Sequence, residues 1–305
     1  MSQKIKTAVL GVGYLGFFHA QKHKASSYAE FVGVFDASSD RSKKVAADLG
    51  CLAFTELGQL KNQVQAVTIA ATTTAHYEIA LWCLNNGIHV NVEKPITAQL
   101  KQAEELIQVA KKNKLKLSVG HIERFNPCMG EIKKLNFVPE TLILKRQGPF
   151  KTRAADVSVL HDLMIHDVDL LTWLTGSKIK SSSVQKRKVF TQTWDWADAH
   201  VTLENGMTAN LTASRISATP DRSLQLIKNS ETIWAHLGTL DLQYAKLVDL
   251  KNPEPAPIKT WQATKADALQ METDEFLKCI INDQPAPVSG EDGAQALSWV
   301  EEWSK

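Results

Sequence analysis

Cysteine is scarce in this chain of 305 residues, and the four present, Cys51, Cys83, Cys128 and Cys279, lie far apart without any Cys-x-x-Cys spacing. That sets aside a disulfide framework and a cysteine-held zinc site, and all four read as packing residues of a reduced, cytoplasmic protein. Long apolar runs are missing too. No stretch approaches the length of a membrane span, and Lys4 to Lys6 lead straight into a strand with no cleavable leader, so a soluble protein is expected. Neither sign of charge dominates: 35 Lys and Arg against 33 Asp and Glu leave +2, scattered along the chain, which gives no electrostatic reason to expect nucleic acid or an anionic membrane as partner. Internal repeats, low-complexity tracts and a His-Glu-x-x-His pattern are absent, and no metal is expected.

What is present is an alternation of short β-rich runs with longer helical segments. Thr7 to Leu10, Phe31 to Phe35, Ala66 to Ala70, Ile88 to Val92 and Leu115 to Val119 read as strands. Leu100, Ala103, Leu106, Ile107 and Ala110 recur at helical spacing between the last two. This is the pattern of a doubly wound parallel sheet, expected over residues 1–120. After His121 the alternation breaks down. A helix from about Asp156 to Leu174 precedes strand-like runs at Ala199 to Leu203, Met207 to Ala213, Leu224 to Lys228 and Thr232 to Ala235. Residues 121–305 are therefore expected to form an α+β domain with an open, mostly antiparallel sheet. Asn252 to Pro257 reads as a surface loop, and two helices close the chain, the last opened by a capping-box-like Ser289 and Asp292. Seven of the eight tryptophans fall after His121, with Trp194 and Trp196 alternating as on one strand face; they read as core or subunit contacts.

The first strand ends in Gly11-Val12-Gly13-Tyr14-Leu15-Gly16. In this setting the first glycine permits a tight turn, the second lets a pyrophosphate approach the backbone, and the third allows close packing of helix on strand. Asp36 ends the second strand twenty residues beyond Gly16. A carboxylate there accepts hydrogen bonds from ribose hydroxyls and repels a 2′-phosphate, so NAD is expected over NADP, with Arg41 softening the preference. Thr72, Thr73 and Thr74 follow a strand at the carboxyl edge and read either as nicotinamide-side residues or as turn formers.

A dinucleotide brings hydride chemistry, and oxidising a secondary alcohol also needs a group to take the hydroxyl proton. Lys94, in Glu93-Lys94-Pro95 after a strand, and Asp162 and His166 on the helix are the residues expected to supply it. Four residues of α-helix turn through about 400°, which brings Asp162 and His166 to one face with Asp169 nearby. Histidine titrates near neutrality and an adjacent acid can orient it. By the same spacing His161 and His166, five apart, point to different sides. Taken singly, a lysine before proline and a His/Asp helix pair also read as surface residues.

Together, the glycine turn, the Thr72 to His76 segment, Glu93-Lys94-Pro95, the Asp162 and His166 pair and Pro287 to Gly293 resemble the Gfo/Idh/MocA oxidoreductase family along essentially the whole chain. The resemblance implies an N-terminal Rossmann domain, an α/β partner domain whose open sheet mediates assembly into a homodimer or homotetramer, and Lys94, Asp162 and His166 as the catalytic set. His76, Glu93 and Lys94 join the cofactor residues, and the bond before Pro95 is often cis in such proteins. Thr72 stands where many members carry proline. Within the family, Gly120 to Pro127 is similar to members that oxidise the 3-hydroxyl of UDP-N-acetylglucosamine, which implies a 3-keto nucleotide sugar later aminated towards lipid A. Arg124, a bidentate phosphate ligand by chemistry, and Asn126, a donor and acceptor for sugar hydroxyls, are the substrate residues this implies, alongside Lys94, Asp162 and His166. Arg146, Arg153, Arg215 and Arg222 are further phosphate candidates. A dehydrogenase of free polyols or monosaccharides, or a dinucleotide-binding regulator, are the alternatives.

Overall fold

The computed structural model describes residues 4–152, 156–246 and 258–305; Arg153 and the Asn252 to Pro257 segment lie outside these. The chain forms two compact units, residues 1–122 with 267–297 and residues 123–266 with 298–305.

In the first unit β1 (Ile5–Leu10), α1 (Tyr14–Ala25), β2 (Ala29–Phe35), α2 (Ser39–Leu49), β3 (Leu52–Phe54), β4 (Ala66–Ile69), α3 (Thr73–Asn85), β5 (His89–Glu93), α4 (Leu100–Lys112) and β6 (Leu117–Gly120) follow in order. The strands are all parallel, in the order β3-β2-β1-β4-β5-β6. Every residue of β4 and β6 is buried, as strands covered on both faces must be. The order reverses between β1 and β4. Their carboxyl ends therefore lie where such sheets bind ligands. The short edge strand β3 escapes the sequence pattern because only three residues pair.

In the second unit α5 (Pro127–Lys134) and β7 (Thr141–Gln147) precede a π-wound turn, Leu160–Met164, that runs into α6 (Ile165–Thr175). Then come β8 (Ile179–Arg187), β9 (Trp196–Leu203), β10 (Thr208–Ser214), β11 (Asp221–Lys228), β12 (Glu231–His236), β13 (Asp241–Lys246) and β14 (Lys259–Gln262). The sheet runs β14-β13-β12-β11-β7-β10-β9-β8, antiparallel except where β7 and β10 pair in parallel. Leu142, Leu144 and Arg146 of β7 alternate inward with Leu224 and Leu226 of β11, and α6 packs on β7 and β10. Central β7, the edge strands β8 and β14, and β13 beside β14 are absent from the strands expected. β8 is mostly polar, because an edge strand with an exposed face has little to bury. Trp194 precedes β9, and its indole N–H donates to the Ser304 carbonyl at 3.3 Å.

The chain closes with α7 (Ala268–Ile281) and α8 (Gly290–Ser304). α8 starts at a reciprocal cap: the Asp292 carboxylate accepts from the Ser289 N–H at 2.8 Å and the Ser289 hydroxyl accepts from the Asp292 N–H at 3.1 Å. α7 corrects the expected division at residue 120. Its Phe276, Leu277 and Cys279 are buried against Ile5, Ala29 and Ala66, so residues 267–297 belong to the first unit. Val288 continues this by accepting the Val119 N–H at 3.1 Å, covering the open edge of β6. Among the described residues no helix is long and apolar enough to cross a membrane.

Candidate active site

The glycine turn is shaped by what its backbone touches. Gly11 has φ +85°, and a Cβ there would sit 2.5 Å from the Ala71 nitrogen. A Cβ on Gly16 would fall 1.8 Å from the Gly11 carbonyl oxygen, so β1 and α1 approach as only glycine allows. At Gly13 a Cβ would meet nothing within 4 Å, which leaves open space over the turn. No side chain caps α1, whereas Ser38 caps α2. The first-turn amides of α1, at Tyr14, Leu15 and Gly16, thus stand at a helix N-terminus with its partial positive charge, and the residues present fit a pyrophosphate. Asp36 stabilises the turn: its Oδ2 accepts the Val12 N–H and its Oδ1 the Ser38 N–H, each at 2.8 Å. Arg41 pairs with the same carboxylate at 3.1 Å. Carboxylate oxygens offer about four acceptor sites, and Val12, Ser38 and both contacts of Arg41 fill them, so ribose hydroxyls would bind Asp36 by displacing the exposed Arg41 guanidinium.

Thr72 precedes α3 with φ −68° and ψ 146°, the φ that proline would impose, so threonine replaces it without reshaping the turn. Thr73 opens the helix. His76 is buried rather than open to a cofactor, with Nδ1 2.9 Å from the Pro95 carbonyl and Nε2 3.1 Å from that of Ala71. Burial lowers its pKa, and the neutral imidazole, with a single N–H, sits between the two carbonyls and donates to one of them, packing the loop after β4 beside the loop after β5. Lys94 follows β5, and the Lys94-Pro95 bond is cis. Glu93 points into the unit. Its Oε1 meets His19 Nε2 at 2.8 Å and its Oε2 accepts the Lys94 N–H at 3.2 Å. His19 of α1 and Glu272 of α7 complete a buried cluster that no sequence spacing announced, because α7 reaches it from 179 residues further along.

In the second unit Asp162 lies in the π-wound turn and His166 one turn on, in α6. The Ile165 N–H bonds back five residues to the Leu160 carbonyl. α-Helical spacing, which sets His161 and His166 on different sides, does not hold through this segment. Such turns concentrate at functional sites. Asp167 and Asp169, on either side of Val168, turn inward. Asp169 binds Arg124 at 2.5 and 2.8 Å, and Asp167 binds Arg146, which also reaches Glu123 at 2.6 Å. Burial works to raise both acids, yet Arg146 holds Glu123 below the ordinary range while Asp167 stays above it.

Two residues expected to meet substrate make internal contacts. Arg124 spends its fork on Asp169 and is buried. Asn126 caps α5 by accepting the Cys128 N–H at 3.1 Å, and its amide donates to Glu123 and to the Leu237 carbonyl. The polar capacity that suggested sugar and phosphate is used to fix the fold. Arg146 is likewise buried in ion pairs, and Arg215 bonds the Val157 and Trp194 carbonyls and pairs with Asp195. Arg222, opposite Arg146 across β11 and β7, is exposed.

Residues 5–121 match an oxidoreductase family with an NAD-binding Rossmann fold, and residues 128–233 match the GFO/IDH/MocA C-terminal domain. The chain belongs to the Gfo/Idh/MocA family. It is 34% identical over 297 residues, 96% of this chain and 94% of the relative, to the UDP-N-acetylglucosamine 3-dehydrogenase of Acidithiobacillus ferrooxidans. A solved structure of that enzyme superposes with a TM-score of 0.92 over 99% of this chain and 97% of its own, at 33% identity. The scyllo-inositol 2-dehydrogenase (NAD(+)) of Bacillus subtilis is 26% identical over 92% of this chain and 88% of its own. Family membership makes this chain an NAD-dependent oxidoreductase, in accord with its uncapped α1 and with Asp36.

Proposed function

We propose that this chain oxidises the 3-hydroxyl of UDP-N-acetylglucosamine to the 3-keto sugar with NAD, a product suited to later amination in envelope lipid A synthesis. The observation that carries the reading is the 34% identity to a UDP-N-acetylglucosamine 3-dehydrogenase along 96% of the chain. Oxidation removes a proton from oxygen and a hydride from carbon. Bound NAD supplies the hydride acceptor. Lys94, Asp162 and His166 handle the proton: His166 takes it, Asp162 orients the imidazole, and the Lys94 ammonium stabilises the developing alkoxide. Self-association through the sheet face opposite α6 belongs to the same reading, with sedimentation as its check.

The similarity to an inositol dehydrogenase supports a second reading, a free polyol as substrate. NADH formation with UDP-N-acetylglucosamine, in the presence of a carbonyl trap, separates the two. Turnover of this substrate but not of N-acetylglucosamine, inositol or glucose is expected. Turnover of a free sugar or polyol alone would overturn the nucleotide-sugar assignment and keep the family.

A further inference from the structure

The buried polar cluster behind Lys94 has no part in the reaction as described so far. His19, Glu93 and Glu272 are 0, 9 and 1% exposed, and one nitrogen or oxygen of each lies within 4.8 Å of the others. Glu93 is held on three sides. Its Oε1 meets His19, its Oε2 takes the Lys94 N–H, and Gly120 closes the third, where a Cβ would lie 3.0 Å from the carboxyl group. Glu272 Oε1 accepts from the Asn91 amide at 3.0 Å, while Oε2 has no hydrogen-bond partner among the described residues.

We propose that His19 and Glu272 are positioning residues for hydride transfer, sharing protons with Glu93 so that its carboxylate stays fixed on the Lys94 amide and sets where the Lys94 side chain points. This rests on the reading that Lys94 meets the reacting hydroxyl. Two carboxylates this close in a dry pocket resist joint ionisation. Glu93 holds the donors. Burial works against its charge, yet His19 and Lys94 keep its pKa below the ordinary range. Glu272 is pushed up to about 7 by burial and by the Glu93 charge. Burial opposes protonation of His19, but Glu93 raises its pKa on balance. Other titratable groups near these three are Lys94, whose charge favours ionised Glu93, His76, which also feels Glu93 but is lowered by burial, and His23, next along α1, lowered to about 3 by burial and by His19. His23 stays neutral, 2.8 Å from the Thr68 hydroxyl. While Glu272 carries its proton, Glu93 alone holds His19. Once Glu272 ionises, a second carboxylate competes for His19 and the hold on the Lys94 peptide loosens.

The test measures kcat with UDP-N-acetylglucosamine and NAD, and NAD affinity, for the full chain and its variants. His19→Leu should lower kcat roughly tenfold to a hundredfold with NAD affinity within about twofold, since misplacing a reacting group costs on this scale. His19→Gln, which keeps a donor, should recover most of the loss. The ratio of Glu272→Gln to wild-type kcat should rise severalfold between about pH 6 and pH 8, as the fixed neutral amide stands in for the protonated acid. Infrared spectra at neutral pH should show a protonated carboxyl band that Glu272→Gln lacks, whatever the substrate. A folded His19→Leu with full kcat beside an inactive Lys94→Ala would overturn the proposal alone. Full activity of Lys94→Ala would remove the Lys94 reading and the proposal with it. A ratio flat with pH, no such infrared band, or one bound metal ion per purified chain would each overturn it.

Discussion

Lys94 and His166 are the residues whose removal should separate chemistry from binding. Lys94→Ala and His166→Ala are each expected to lower kcat by about 10²-fold to 10⁴-fold, the range for losing an acid–base group, with the NAD dissociation constant nearly unchanged by titration calorimetry. Full turnover in both would end the assignment. Asp36 governs a different choice. Its carboxylate holds the Val12 and Ser38 amides and faces Arg41, so Asp36→Asn keeps an acceptor while removing the charge that repels a 2′-phosphate. The NADP to NAD ratio of kcat/KM should rise at least about tenfold, helped by the released Arg41 guanidinium. An unchanged ratio would show that preference is set elsewhere.

At the scale of the element, the glycine turn makes two opposite predictions three residues apart. Gly13 has φ −66° and open space where a Cβ would stand, so Gly13→Ala should melt within about 1 °C of wild type while weakening NAD binding about tenfold or more, because the methyl enters the phosphate space. Gly16→Ala drives a Cβ into the Gly11 carbonyl and should cost several kcal/mol, on the order of 3, in denaturant unfolding. Matching behaviour of the two would mean the turn does not work as described. In α6 the determining contact is Arg146, which separates Glu123 from Asp167. Arg146→Met leaves two acids buried without their cation, and a loss of about 3–5 kcal/mol is expected.

For the whole molecule, buried ionisable groups set the pH dependence of stability. Glu272 is raised from 4.5 to about 7, so between those values the folded chain binds its proton more tightly than the unfolded chain. Stability therefore falls as pH rises through that window, by as much as about 3 kcal/mol at 1.36 kcal/mol per unit. Glu272→Gln should melt higher than wild type above about pH 7 and converge with it below pH 4.5. His23 acts on the other side. Lowered from 6.5 to about 3, it refuses a proton that the unfolded chain accepts, so stability declines as pH drops below 6.5. His89, lowered to about 4 by burial, adds to that decline. Melting temperatures across the pH range check both signs.

Local patterns were enough for the parallel sheet, the glycine turn with Asp36, the α4 stripe and the Ser289 cap, because periodicity, backbone sterics and capping act within a few residues. The same residue types could not reveal their partners. Arg124 and Asn126 have the chemistry of ligands for phosphate and sugar, and only the fold shows that Asp169, Glu123 and the Leu237 carbonyl use it. Arg146 lies on a central strand unseen in the pattern, and His19, Glu93 and Glu272 come from three elements, the last far along the chain. Periodicity and motif spacing along the chain were sufficient for the two fold classes, the dinucleotide turn and the residue types able to move a proton. Tertiary structure alone decided that α7 joins the first unit, that the expected substrate arginine is an internal ion pair, and that a buried acid stands behind Lys94. The reason is physical: desolvation and ion pairing depend on which distant groups share a dry space, and separation along the chain does not encode that.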